Sequence, residues 1–193
     1  MEKLTRSDIQ DIIAYEKERV SFRREIIALK KSRRVLVGPM IALVFENRET
    51  VRFQIQEMMR AERIVEEEAI AHEIEAYNEL IPGEGELSAT LFVELDDPSR
   101  IRRVLDDLIG VNEKVFLEIG GERIQAIFQP GTYREDRVSA VHYVKFRLTP
   151  EQIRVFQEGA SSIAFLMDHP NYKARVVLSG DTRQALSLDL VKG

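Results

Sequence analysis

Five side chains in this sequence combine a metal-binding type with a placement that could bring them together: Glu62, Glu66 and Glu73 within one acidic stretch, and His142 and His169 far along the chain. At about 100° per residue, the three glutamates fall on or beside the apolar face of a long helix, where a carboxylate needs a partner. Two readings stay open. Arginines or lysines of a neighbouring element pair with them, or they gather with His142 around a hard or borderline divalent metal, with His169 as a second ligand or proton carrier. His142 shares a strand face with Ala140, Val144 and Phe146, at the place where an equivalent strand carries Leu91. The first expectation is therefore a core imidazole satisfied by neighbours, and a hydrogen bond to one of the glutamates is expected ahead of a metal. His169 lies in DHPNY, where Asp168 and Pro170 favour a turn on their own account, so its expected role is structural.

Much other chemistry is excluded. The 193 residues contain no cysteine, which removes disulfides, thiolate zinc, cysteine-held iron–sulfur clusters and a thiol nucleophile. No glycine-rich phosphate cradle and no serine nucleophile elbow is present, so neither a nucleotide cofactor nor standard hydrolase chemistry is expected. His72-Glu73 begins like a zinc-protease helix, but Ala76 stands where the second histidine belongs. Ala69 likewise replaces the glutamate of a Glu-x-x-His di-iron motif.

The elements that must position these residues read as an α+β protein. A helix opened by Thr5, Ser7 and Asp8 runs to about Arg33 with two apolar stripes, one of Ile9, Ile12, Ile13, Val20 and Ile27, the other of Tyr15, Phe22, Ile26 and Leu29. It ends in KKSRR, read as a solvated helix end in preference to a nucleic-acid contact. Residues 35–45 read as one buried strand bent at Gly38-Pro39, which would leave the two long helices roughly parallel and bring the basic end of the first near the acidic half of the second. That second, central helix occupies most of 46–87 and breaks at Pro82, Gly83 and Gly85.

From Leu87 the period becomes two, and strand, short helix and hairpin follow one another twice. Two βαββ units, 87–128 and 138–179, are expected to share a mixed or largely antiparallel sheet, with tight turns at Gly120-Gly121 and DHPNY. SATLFVEL lies over SAVHYVKF, and DPSRIR over TPEQIR. The segment 180–193 is a terminal helix or a last strand. The whole, 1–193, is read as one compact domain, with 1–86 as a helical layer containing one strand.

A hydrophobic content of 44%, a charged content of 32% and a net charge of −5 describe a soluble chain with no general attraction to nucleic acid or anionic membrane. The most apolar run, VLVGPMIALVF, is too short to span a bilayer, and no signal core follows the start, so a cytoplasmic location is expected.

The segments IALKKSRRVLVGP, FENRETVRFQIQEMMRAERI, EIEAYNELIPG, SAVHYVKF and DHPNY resemble an uncharacterised bacterial family, domain-of-unknown-function family 3501, over most of the chain and most specifically across 28–95. The resemblance implies no reaction and transfers no site residue. It does imply a setting beside rubrerythrin-like di-iron proteins and iron–sulfur oxidoreductases, and hence peroxide or redox stress. Two functions follow as expectations. One is a non-enzymatic binding or accessory protein that presents a charged edge of its helical layer to such a partner; the other is a metal-dependent activity built on His142 and the glutamates.

Overall fold

A computed structural model describes residues 1–130, 138–159 and 161–190. The first long helix, α1 (Ile12–Lys31), starts where the Asp11 carboxylate accepts the Ala14 N–H at 2.8 Å, and it carries Lys30 and Lys31 in its last turn. The following apolar run is not one bent strand. It folds into a hairpin of β1 (Arg34–Val37) and β2 (Ile41–Phe45). Gly38 makes the turn at φ +74°, and a Cβ there would lie 2.4 Å from the Tyr172 hydroxyl, which donates to the Val37 carbonyl at 2.6 Å.

Two strands between the helices, where one was expected, reverse their relative direction. Helix α2 (Arg48–Glu62) therefore runs antiparallel to α1: Glu16 meets Arg60, Arg19 meets Glu57 and Phe22 meets Phe53. The basic end of α1 consequently lies beside the start of α2, and charge matching with the acidic stretch does not occur. That stretch is also not the second half of one helix. Arg63 caps α2 in the left-handed region at φ 55°, and a new helix, α3 (Glu67–Asn78), begins after Glu66. Glu67 and Glu68 occupy its first turn, where the helix dipole favours carboxylates.

The remaining elements are β3 (Glu86–Val93), α4 (Ile101–Asp107), β4 (Val115–Ile119), β5 (Glu122–Gln125), β6 (Ile127–Phe128), β7 (Val141–Arg147), α5 (Pro150–Glu158), β8 (Ile163–His169), β9 (Tyr172–Val177) and α6 (Gly180–Asp189). Strand, helix, strand, strand thus occurs twice. Both hairpins pair, β4 with β5 across Gly120-Gly121 and β8 with β9 across Pro170-Asn171. The two units do not share one sheet. Their first strands pair in a five-stranded antiparallel sheet, β1-β2-β3-β7-β6, and their hairpins form a second sheet, β5-β4-β8-β9. Of the C-terminal segment 180–193, the described part forms the helix α6, capped by Ser179, and 191–193 lie outside the described residues.

The alternation of β3 explains the layers. Leu87, Ala89, Leu91 and Val93 face the second sheet in a core that also holds Phe45, Phe146 and Phe165, with ring centroids 5.1 and 5.3 Å apart. Ser88, Thr90 and Phe92 face the other way, towards the helices. There Val51, Ile55 and Met59 of α2 join Ile70 and Ile74 of α3 in a second core. The first sheet is thus covered on both faces. Arg33 and Asp189, both buried, form a two-pronged ion pair at 2.7 and 2.9 Å that ties the end of α1 to α6.

Candidate functional site

The structure does not bring the five anticipated residues together. His142, 0% exposed, points between the two sheets with Val144 and Phe146, its ring edge-on to Phe128 at 5.3 Å. The helices cover the opposite face. Glu62 and Glu66 are exposed and Glu73 is half-buried: Glu62 ends α2, and the left-handed residue Arg63 breaks the rotation on which the placement of Glu66 and Glu73 depended. In His169, Nδ1 accepts the Asn171 N–H at 3.2 Å and Nε2 lies 2.9 Å from the Ile109 carbonyl. A backbone N–H only donates and a carbonyl only accepts, so these contacts call for the tautomer with its proton on Nε2, and the ring pins the β8–β9 turn to the end of α4. Among the described residues no group of three or more His, Asp or Glu side chains is placed to hold a metal ion.

The basic run KKSRR is likewise dispersed. Arg33 is buried against Asp189, Arg34 pairs with Glu94, Lys30 lines a pocket and Lys31 is exposed.

What the helical layer does present is an α1 with two unlike sides. On the covered side, Glu57 accepts from the Tyr15 hydroxyl at 2.6 Å and from both prongs of Arg19 at 2.7 and 2.9 Å. The Arg19 guanidinium holds the Glu57 carboxyl below its ordinary value. Arg52 lies over the Phe22 ring at 4.5 Å, and Arg48 reaches Asp8. On the other side Ile13, Val20 and Ile27, seven residues apart, are 74%, 70% and 52% exposed. Lys17, Arg24 and Lys31 border this row on one flank, and Glu16, held by Arg60, and Arg23 on the other. The four bordering cations are exposed and make no ion pair among the described residues.

A second feature lies where the helical layer stops short over the first sheet. A pocket of about 360 Å³ opens there, with Glu46 and Thr90 on its floor, Phe92 and Tyr143 in its walls and Lys30 and Gln54 from the helices. Glu46 is only 2% exposed, and its two oxygens accept from the Thr50 and Thr90 hydroxyls at 2.5 and 2.7 Å. Burial first, then the charge of Glu46, pushes the Tyr143 phenol above its ordinary value. Glu46 is not among the residues that the sequence singles out. Its one signal is a carboxylate placed directly between the apolar run of β2 and the Asn47 cap of α2.

The architecture is that of a two-sheet α+β sandwich with a helical layer on one outer face. The chain belongs to the family described as protein of unknown function (DUF3501), whose model matches residues 3–190. It is similar to a solved structure, the crystal structure of a novel protein of unknown function from Burkholderia pseudomallei K96243, at 33% identity and a TM-score of 0.92, covering 98% of this chain and 100% of that one. No curated protein matches it. Among the described residues no helix is long and apolar enough to cross a membrane.

Proposed function

We propose that this is a non-enzymatic binding protein that docks an acidic, helical surface of a partner protein on the outer side of α1. One observation carries the reading: an apolar row at heptad spacing, Ile13, Val20 and Ile27, left in solvent and bordered by Lys17, Arg23, Arg24 and Lys31. The arginines on the covered side have carboxylate or aromatic partners; these four cations have none among the described residues. A partner helix with apolar anchors and flanking carboxylates satisfies both demands at once. A lipid surface fits less well, because the chain is net −5 and the row contains no interfacial aromatic residue. The rubrerythrin-like or iron–sulfur partner that the resemblance implies is the first natural candidate.

The test is titration of a synthetic helix with leucines on one face and glutamates beside them, and of a purified rubrerythrin-like protein. Val20→Asp and the triple reversal Lys17→Glu/Arg24→Glu/Lys31→Glu should each weaken binding by roughly tenfold or more, about 1.4 kcal/mol, and added salt should do the same to the wild type. Binding unchanged in both variants contradicts the proposal. So does a wild-type dimer that Val20→Asp dissociates, since the occupant is then a second copy of this chain.

A further inference from the structure

The pocket over the uncovered part of the first sheet asks for a ligand of its own, and nothing on the outer side of α1 accounts for it. Glu46 and Asp189 are the instructive pair of buried acids. Asp189 is met by a two-pronged Arg33. Glu46 is equally enclosed yet receives two neutral hydroxyls and makes no ion pair among the described residues. A carboxylate accepts about four hydrogen bonds and is costly to bury without positive charge, so Glu46 keeps both acceptor capacity and an electrostatic demand at the pocket floor.

Two further groups facing the same space are unanswered. Gln54 lines the pocket, and its Nε2 is buried without an acceptor among the described residues, so that turning the side-chain amide brings an unspent donor to a ligand. Lys30 lines the pocket without an ion pair among the described residues, whereas Arg34 beside it is already engaged by Glu94. The floor therefore asks for a cation, and the α1 and α2 side asks for an acceptor that bears negative charge. Val44, Phe92 and Tyr143 leave an apolar lining between them.

We propose that this pocket binds a small zwitterion of the α-amino-acid class, with its ammonium group on Glu46, its carboxylate on the Gln54 amide and Lys30, and a short apolar side chain against Phe92 and Tyr143. A simple amine leaves Gln54 and Lys30 unanswered, and a simple anion is repelled by Glu46. The volume, about 360 Å³, lies within the range of roughly 300–1,000 Å³ of small-molecule sites.

The experiment is calorimetric titration of the full chain with L-leucine and L-phenylalanine, beside isopentylamine and isocaproate, which carry the ammonium and the carboxylate halves of leucine separately. At least one of the two amino acids should bind saturably and raise Tm, and for leucine each half-molecule should bind at least tenfold more weakly than the whole. Glu46→Gln should cost at least tenfold and Lys30→Ala severalfold. Val141→Trp, a bulky residue at the partly exposed rim, should abolish binding. This last variant and Lys30→Ala keep the test decisive even where Glu46→Gln fails to fold. Absence of saturable binding by both amino acids overturns the proposal, as does binding that survives Val141→Trp, or isopentylamine binding as tightly as leucine. None of these outcomes bears on Val20 or the α1 flank.

Discussion

The two sides of α1 use the same residue types to opposite ends. Towards α2, Tyr15, Phe22 and Ile26 are packed and Arg19 is bound to a carboxylate; towards solvent, Ile13, Val20 and Ile27 are bare and their neighbouring cations have no carboxylate partner among the described residues. The first arrangement spends its interactions on stability. The second leaves them for another molecule. A heptad row of aliphatics in solvent contributes almost nothing to folding, so its place beside clustered cations is better understood through binding.

The contrast is sharpest in its cations. Arg33 is enclosed with Asp189, and removing one member of a buried pair leaves the other without compensation. Arg33→Ala should lower unfolding stability by about 3–5 kcal/mol, whereas Lys31→Ala, two residues away and exposed, should change it by less than about 0.5 kcal/mol. Urea denaturation measures both. Next come the aliphatics: Ile26→Ala should cost about 2–5 kcal/mol, and Val20→Ala should stay within about 0.5 kcal/mol. A comparable loss at Val20 would mean that the outer row is already packed.

Acid should dissolve the covered side first. Arg19 holds Glu57 below its ordinary value. Burial opposes the shift in Glu86, yet Arg147, the Gly83 N–H and Lys145 hold it low as well. A carboxyl whose folded value is depressed stabilises the fold above its unfolded value, near 4.5, and that contribution is lost as pH falls through the folded value. Asp8, held to about 2 by the Thr5 backbone N–H and Arg48, follows the same sign in a lower window, below its ordinary 3.8. Thermal scans from neutral pH down to about pH 3, below the ordinary carboxylate values, should show falling Tm, and Arg19→Ala should reduce that fall. A flat profile would mean that these pairs do not hold the layer. The smallest effect on stability and the largest on binding belong to Val20→Asp: unchanged unfolding within about 0.5 kcal/mol, with the docking of an acidic helix lost.

Much of this architecture was legible because period two and paired glycines are local signals. The strand from Leu87, the Gly120-Gly121 hairpin and the DHPNY turn all fall where the residues place them. Most departures from the sequence pattern arise where a local frame is extended beyond its range. Arg63 turns left-handed without being glycine, and a helical wheel carried past it puts Glu66 on an apolar face that it does not occupy, while Glu62, the last residue of α2, is exposed at the helix end. The parity of His142 was correctly inward, but a sheet covered on both faces has two inward directions, and the histidine took the one away from the helices. Periodicity likewise revealed both stripes of α1 without revealing that only one would be covered. Glu46 was invisible for another reason: burial of a carboxylate depends on Thr50 and Thr90, and Thr90 comes from a distant strand.

The most direct test of the docking surface is a methyl-resolved NMR titration of the labelled protein with the leucine- and glutamate-bearing helix. The largest shift changes should fall on the Ile13, Val20 and Ile27 methyls and fade as salt is added. Changes concentrated on other methyl groups, or no change at saturating peptide, would contradict it.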